Sequence, residues 1–240
     1  KPMQIAFDRL QEKEVYTKAV LLAEKHGFNE FSNYMLYNFH DTPRDLYERL
    51  VINIKLNERF IEESEKETRS GKIYSYPMRY APIRDQGNHE NRSRDRIFPI
   101  PDKVDWVESP AWTKRFIRNI EIMKGVAHGA ISPTPGLAWR TVGHTFEEFV
   151  TNLYMPEEFL RNRNKHEKQT FEFNNSQTPG SGLIEEFRTF LLKLLVDQCS
   201  EKFIFFHKTV IQNSLPVIER AMNKTQDKEL LKWLSYYKMK

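Results

Sequence analysis

Residues 32–45, Ser-Asn-Tyr-Met-Leu-Tyr-Asn-Phe-His-Asp-Thr-Pro-Arg-Asp, constrain the fold more than any other stretch of the chain. Tyr34, Met35, Leu36, Tyr37 and Phe39 form an almost continuous apolar and aromatic run. Such a run suits a parallel strand covered on both faces. The residues that follow stop a strand and open a helix. Asp41 or Thr42 can cap it, Pro43 is tolerated in a first turn, and Asp45 sets negative charge against the positive helix end. Ligands of parallel α/β sheets bind at the carboxyl ends of the strands, so Asn38–Asp41 mark the expected site.

The flanking segments carry the same alternation. Ile5–Asp8 reads as a short strand. Glu12–His26 follows as a helix with Val15, Ala19, Leu22 and Ala23 at helical spacing, and Gly27 stops it. The helix from Pro43 runs to about Ser64, with Leu46, Leu50, Ile54 and Ile61 as its apolar positions and a solvated, charged end over Glu62–Arg69. Gly71 breaks it, and Ile73–Tyr80 reads as a third strand. Strand, helix, strand, helix, strand with short connections is the pattern of consecutive parallel β/α units.

Beyond residue 83 the pattern changes. Arg84–Arg96 is a polar loop, and Pro99 and Pro101 lie in an extended connection. A helix is expected from Pro110 to about Val126 on Trp112, Phe116, Ile120 and Met123. Ile131–Gly136 is turn-rich. Thr145-Phe-Glu-Glu148 has the spacing of a capping box and opens a helix to about Leu153, and Pro156 can begin another. Asn164–Gly182 reads as a polar linker, Leu183 to about Val210 as one long helix with Phe187, Leu191, Leu194 and Leu195 inward, and Pro216–Asn223 and Asp227–Tyr237 as two short ones. The expected division is 1–83, 84–163, a linker over 164–182, and a helical region over 183–240.

The totals bound the function. A chain of 240 residues holds one large domain, or one domain with a helical appendage. With 39% hydrophobic and 29% charged residues it has a soluble, globular balance. No window resembles the ~20 apolar residues of a membrane span. The net charge of +4 is compatible with an anionic ligand or nucleic acid without arguing for either. Cys199, the only cysteine, can form no internal disulfide and cannot by itself hold a zinc or iron–sulfur site, which points to a reducing, cytoplasmic setting.

The run from Gln4 to Pro82 resembles the later part of a radical S-adenosylmethionine (radical SAM) barrel. In that superfamily a strand ending in a polar residue leads to a helix that stops at glycine. The next strand ends in a turn of the form Gly-Leu-Pro-Gly-Glu-Thr-x-Glu-Asp before a long helix. Ile5–Asp8, the helix to Gly27, the strand through Asn38 and His40-Asp-Thr-Pro-Arg-Asp45 follow that order. Tyr76-Pro-Met-Arg-Tyr-Ala-Pro82 is similar to the last barrel strand. The resemblance implies the later β/α units of a partial (β/α)6 TIM-like barrel, followed by a mainly helical extension. It also implies that SAM is cleaved by a 4Fe–4S cluster to a 5'-deoxyadenosyl radical, which abstracts hydrogen from a substrate.

Asp8 and Arg9 match positions that face the ribose or carboxylate of SAM. Asn33, Tyr34, Tyr37 and Asn38 match the strand beside the adenine and ribose, and Met78, Arg79 and Tyr80 the last strand near adenine or substrate. The defining Cys-x3-Cys-x2-Cys segment is absent, and the glycines of the turn are replaced by Tyr37, Asn38 and His40. The resemblance therefore expects the cluster on a missing N-terminal half or a partner chain, with this chain not competent alone.

Several residues keep two readings. Asp8 is a SAM ligand or the cap of the helix behind it. Tyr34, Tyr37 and Phe39 are core or cofactor contacts. Arg79, a charge within an aromatic strand, needs an anionic partner, either a ligand carboxylate or an internal Asp. His144, Glu147 and Glu148 have ligand spacing, but the capping box accounts for Glu148 without a metal. His89-Glu90 reads as solvated and His128 as packed or beside a ligand. Arg92, Arg94, Arg96 and the Arg161–Lys165 run are solvated, or they serve a second reading: a non-catalytic module or subunit that recognises an anionic partner such as nucleic acid.

Overall fold

Three parallel strands, β1 (Met3–Ala6), β2 (Glu30–Tyr37) and β3 (Lys72–Arg79), lie side by side in chain order as a small open sheet. The computed structural model describes residues 1–64, 71–80, 107–161 and 181–238. Helix α1 (Lys13–Lys25) crosses from β1 to β2, and α2 (Pro43–Ser64) from β2 to β3. Right-handed crossovers between strands in sequential order fall on one face of a sheet. They do so here. Phe7 stacks on Tyr16 at 4.3 Å, the Tyr16 hydroxyl donates to Asn53 Oδ1 at 2.7 Å, and Phe60 packs on Phe31.

The register divides the side chains. Phe31, Asn33, Met35, Tyr37, Ile73, Ser75 and Pro77 share the helix-covered face and are buried. Ala6, Tyr34, Leu36, Tyr76 and Met78 share the other, where each is half-buried or exposed. The apolar run of β2 predicts cover on both faces; among the described residues only one face is covered by helices.

Two helical stripes also differ from expectation. On α1, Val15 and Leu22 are exposed, while Tyr16 and Val20 are buried because the Tyr16 ring reaches Phe7 and its hydroxyl finds an acceptor. On α2, Leu46, Leu50 and Ile54 are buried as expected, but Ile61 is exposed and Phe60 takes the inward place. The cap of α2 is Thr42. Its hydroxyl accepts from Asp45 N and donates to the Asp45 carboxylate, which also accepts Thr42 N, so Asp41 is left for another partner.

A polar seam runs beneath these apolar positions. Arg49, Asn53 and Asn57, four residues apart, are all buried and point into the sheet. Asn53 donates to Asn33 and Ser75, and the Asn57 amide pairs with both N and O of Ile73. That last pairing satisfies the outer edge of β3. Ser75 exchanges two backbone bonds there with Ile131, Pro77 has no N–H to offer, and Lys124 Nζ donates to the Pro77 carbonyl at 2.8 Å. In contrast, β1 pairs only with β2 among the described residues.

The remaining helices are α3 (Lys114–Lys124), α4 (Pro135–Val142), α5 (Phe146–Tyr154), α6 (Ser181–Val196), α7 (Glu201–Val210), α8 (Leu215–Lys224) and α9 (Lys228–Ser235). Residues 157–161 are also helical. Part of the turn-rich Ile131–Gly136 stretch opens α4, with Pro135 in its first turn. The single helix expected over Leu183–Val210 is two helices. Ser200 accepts from Phe203 N as the cap of α7, and Asp197 accepts Ser200 and Cys199 N–H and O–H groups in the turn between them. Most of the buried apolar residues form one cluster, from Phe7 in the α/β part to Tyr237 at the end. No described helix is long and apolar enough to cross a membrane. Residues 84–101 and 164–180, with the readings placed on them, lie outside the described residues.

Candidate functional site

At the carboxyl ends of β1 and β2 the backbone turns away sharply. Asn38 adopts a left-handed conformation (φ 64°), which asparagine tolerates better than most residues. Its side chain fixes the turn by donating to Tyr80 O at 3.2 Å and accepting from Glu108 N at 3.1 Å. Beside it is a small cavity of about 190 Å³, lined by Asp8, Arg9, Phe39, His40, Asp41 and Asp45 among others.

The floor of this cavity is an ionic knot that the sequence reading missed. Arg49 is fully buried; Nη1 donates to Phe7 O and Leu36 O, both at 2.9 Å, and Nη2 to the Asp41 carboxylate at 2.8 Å. One guanidinium thereby joins the ends of two strands to the turn before α2. Asp41 also accepts from Phe39 N and from Trp112 Nε1. Burial pushes the Asp41 carboxyl up and the Arg49 guanidinium down, and the attraction between them opposes both shifts. A single signal was available for Arg49: its four-residue spacing from Asn53 and Asn57 along the inward stripe.

The expected site residues fall into four groups. Asp8 and Arg9 line the cavity. The Asp8 carboxylate accepts Leu36 N at 2.6 Å and caps no helix; Glu12 precedes α1. Tyr34 and Met78 lie on the open face, Tyr34 stacked on Tyr76 at 5.4 Å and Met78 half exposed. Asn33, Tyr37 and Arg79 belong to the covered face.

Two of the covered-face group are withdrawn from any ligand. Asn33 is buried between Ile5 O and the Asn53 amide. Tyr37 is buried against Trp112, and its hydroxyl donates to Glu121 at 2.7 Å; burial and the Glu121 charge push its pKa well up. Arg79 is half-buried and has no hydrogen bond or ion pair among the described residues. Asn38 and Tyr80 close the turn, with the Tyr80 ring against Phe39 at 4.5 Å.

Known proteins do not decide the matter. No family model, curated protein or solved structure matches this chain.

No group of three potential metal ligands occurs among the described residues. Glu148 accepts His144 N and completes the α5 cap, and the His144 ring stacks on Trp139. His128 is exposed in a left-handed turn, where packing had been expected. Cys199 is exposed in the turn between α6 and α7.

Proposed function

We propose that this chain forms the later strands of a radical SAM partial barrel and supplies one wall of an S-adenosylmethionine site. The observation that supports this reading best is the one-sided cover of the sheet. A doubly wound sheet reverses its strand order and carries helices on both faces. A barrel keeps the order and leaves the inner face to its own strands. Three sequential parallel strands with both crossovers on one face, a half-open aromatic face opposite and an available edge at β1 suit the second.

The described residues do not fit an iron–sulfur cluster, since they hold no group of three possible ligands, and on this reading the cluster is held outside them. They fit SAM in part. The Tyr34–Tyr76 pair offers a shelf for an adenine, and Asp8 and Arg9 offer a carboxylate and a guanidinium for ribose hydroxyls and a carboxylate. A cavity of about 190 Å³ is smaller than the ~300–1,000 Å³ usual for a whole ligand of this size, so a second wall is required. SAM held here would lie against the Tyr34–Tyr76 pair, Asp8 and Arg9. The work of these residues is to bind, orient and exclude water.

The test uses the native gene product with any protein that copurifies, prepared without oxygen. Bound iron and sulfide, together with dithionite-dependent formation of 5'-deoxyadenosine and methionine from SAM, are expected. Arg9→Ala should weaken SAM binding by roughly tenfold, the worth of one charge-assisted contact. An assembly with no iron and no SAM binding refutes the reading.

A further inference from the structure

A second cavity, of about 600 Å³, lies away from the sheet and is lined by Arg115 and Arg118 of α3, Glu157, Arg161, Tyr237, Lys238 and the residues that lead into α8. Four cationic side chains face one carboxylate. Glu157 holds Arg118 at 3.1 Å and reaches Arg161 at 3.6 Å, and Lys238 shares its charge with Glu219 at 3.6 Å. Burial alone would raise the Glu157 carboxyl, but the Arg118 bond and the charges of Arg118, Arg115 and Arg161 outweigh it and hold it below the usual range. Even with Lys238 set aside, the cationic charge exceeds the anionic.

Arg115 brings part of that excess to a nearly buried position. It is 3% exposed, yet its guanidinium makes a single long bond, from Nε to Val210 O at 3.5 Å, and lies over the Tyr237 ring. Its terminal amino groups donate to nothing among the described residues. A guanidinium has five N–H donors, and Arg115, as a lining residue, brings its remaining ones to the cavity. Beside it, Ser214 precedes the first turn of α8 with a hydroxyl that caps nothing, at the positive end of the helix.

We infer that this cavity binds a small molecule carrying at least two phosphate groups, such as pyrophosphate or the diphosphate of a nucleotide. Arg115 supplies the buried fork, Arg118 and Arg161 the outer charges, and Ser214 a hydroxyl donor. Planar guanidinium forks match phosphate oxygens in pairs, and the volume suits a nucleotide-sized ligand. The inference is independent of the SAM reading.

Calorimetric titration of the chain with pyrophosphate, and separately with ADP, tests it. One saturable site is expected for pyrophosphate; tighter binding of ADP identifies a nucleotide as the source. Arg161→Gln, at an exposed position that leaves the fold intact, should weaken pyrophosphate binding by about tenfold, and Arg118→Gln should do the same. Arg59→Gln removes an equal charge from an exposed pair elsewhere and should change nothing. The inference is overturned by no binding of either probe at millimolar concentration, by equal weakening in Arg59→Gln, or by binding restricted to polynucleotides.

Discussion

Arg49 is a cation with almost no water to stabilise its charge, and its contacts show what replaces it. Two strand-end carbonyls, the Asp45 carbonyl and the Asp41 carboxylate surround the guanidinium. The Asp41 carboxylate is in turn tied to Trp112 and to the backbone of Phe39. Such a pair contributes little net stability compared with a packed apolar core, but breaking it leaves a buried charge alone. Arg49→Met should therefore cost about 3–5 kcal/mol in urea unfolding, and Asp41→Asn added to it should recover part of the loss. A single-variant loss near zero would show that the knot is not buried as described. The same substitution should loosen the cavity above it, since Arg49 holds the ends of β1 and β2 to the turn.

At the scale of elements, the signals that were legible in the sequence are local ones. The three strands, α1, α2, the capping box of α5 and the Pro156 start all rest on a period, a cap or a breaker within a few residues. What was not legible depends on distant partners. The burial of Arg49, Asn53 and Asn57 is set by the sheet packed against them. The open face of β2 looks as apolar as the covered one. Of the expected site residues, Asp8, Arg9 and Tyr34 reach accessible positions, whereas Asn33 and Tyr37 serve the packing of α2 and α3. The apolar period continues across the Asp197–Ser200 break, which the Ser200 cap and the Asp197 turn define in the structure. Asn57 gives the sharpest element-level prediction. Asn57→Ala removes two bonds and leaves a backbone N–H and carbonyl of β3 unpaired, at a cost of about 2 kcal/mol. Amide hydrogen exchange at Ile73 should accelerate in the variant; unchanged protection would place its partner elsewhere.

At the scale of the whole molecule, the α/β part and the helices share one buried cluster. Tyr37 reaches Glu121 of α3, and Tyr237 at the end of the chain donates to the Tyr154 carbonyl of α5. Elements joined in this way lose their packing together. Thermal unfolding followed by tryptophan fluorescence and by far-ultraviolet circular dichroism should give one coincident transition. Two separated transitions would show that residues 183–240 fold as an independent unit. The two borders of the sheet, however, are not equivalent. The β3 side is finished by the Asn57 amide, Ile131, a proline and the Lys124 ammonium, while the β1 side has no such finish among the described residues. Among the described residues only the β1 border is open to a further strand, so pairing through this sheet adds on one side and is not passed on through β3.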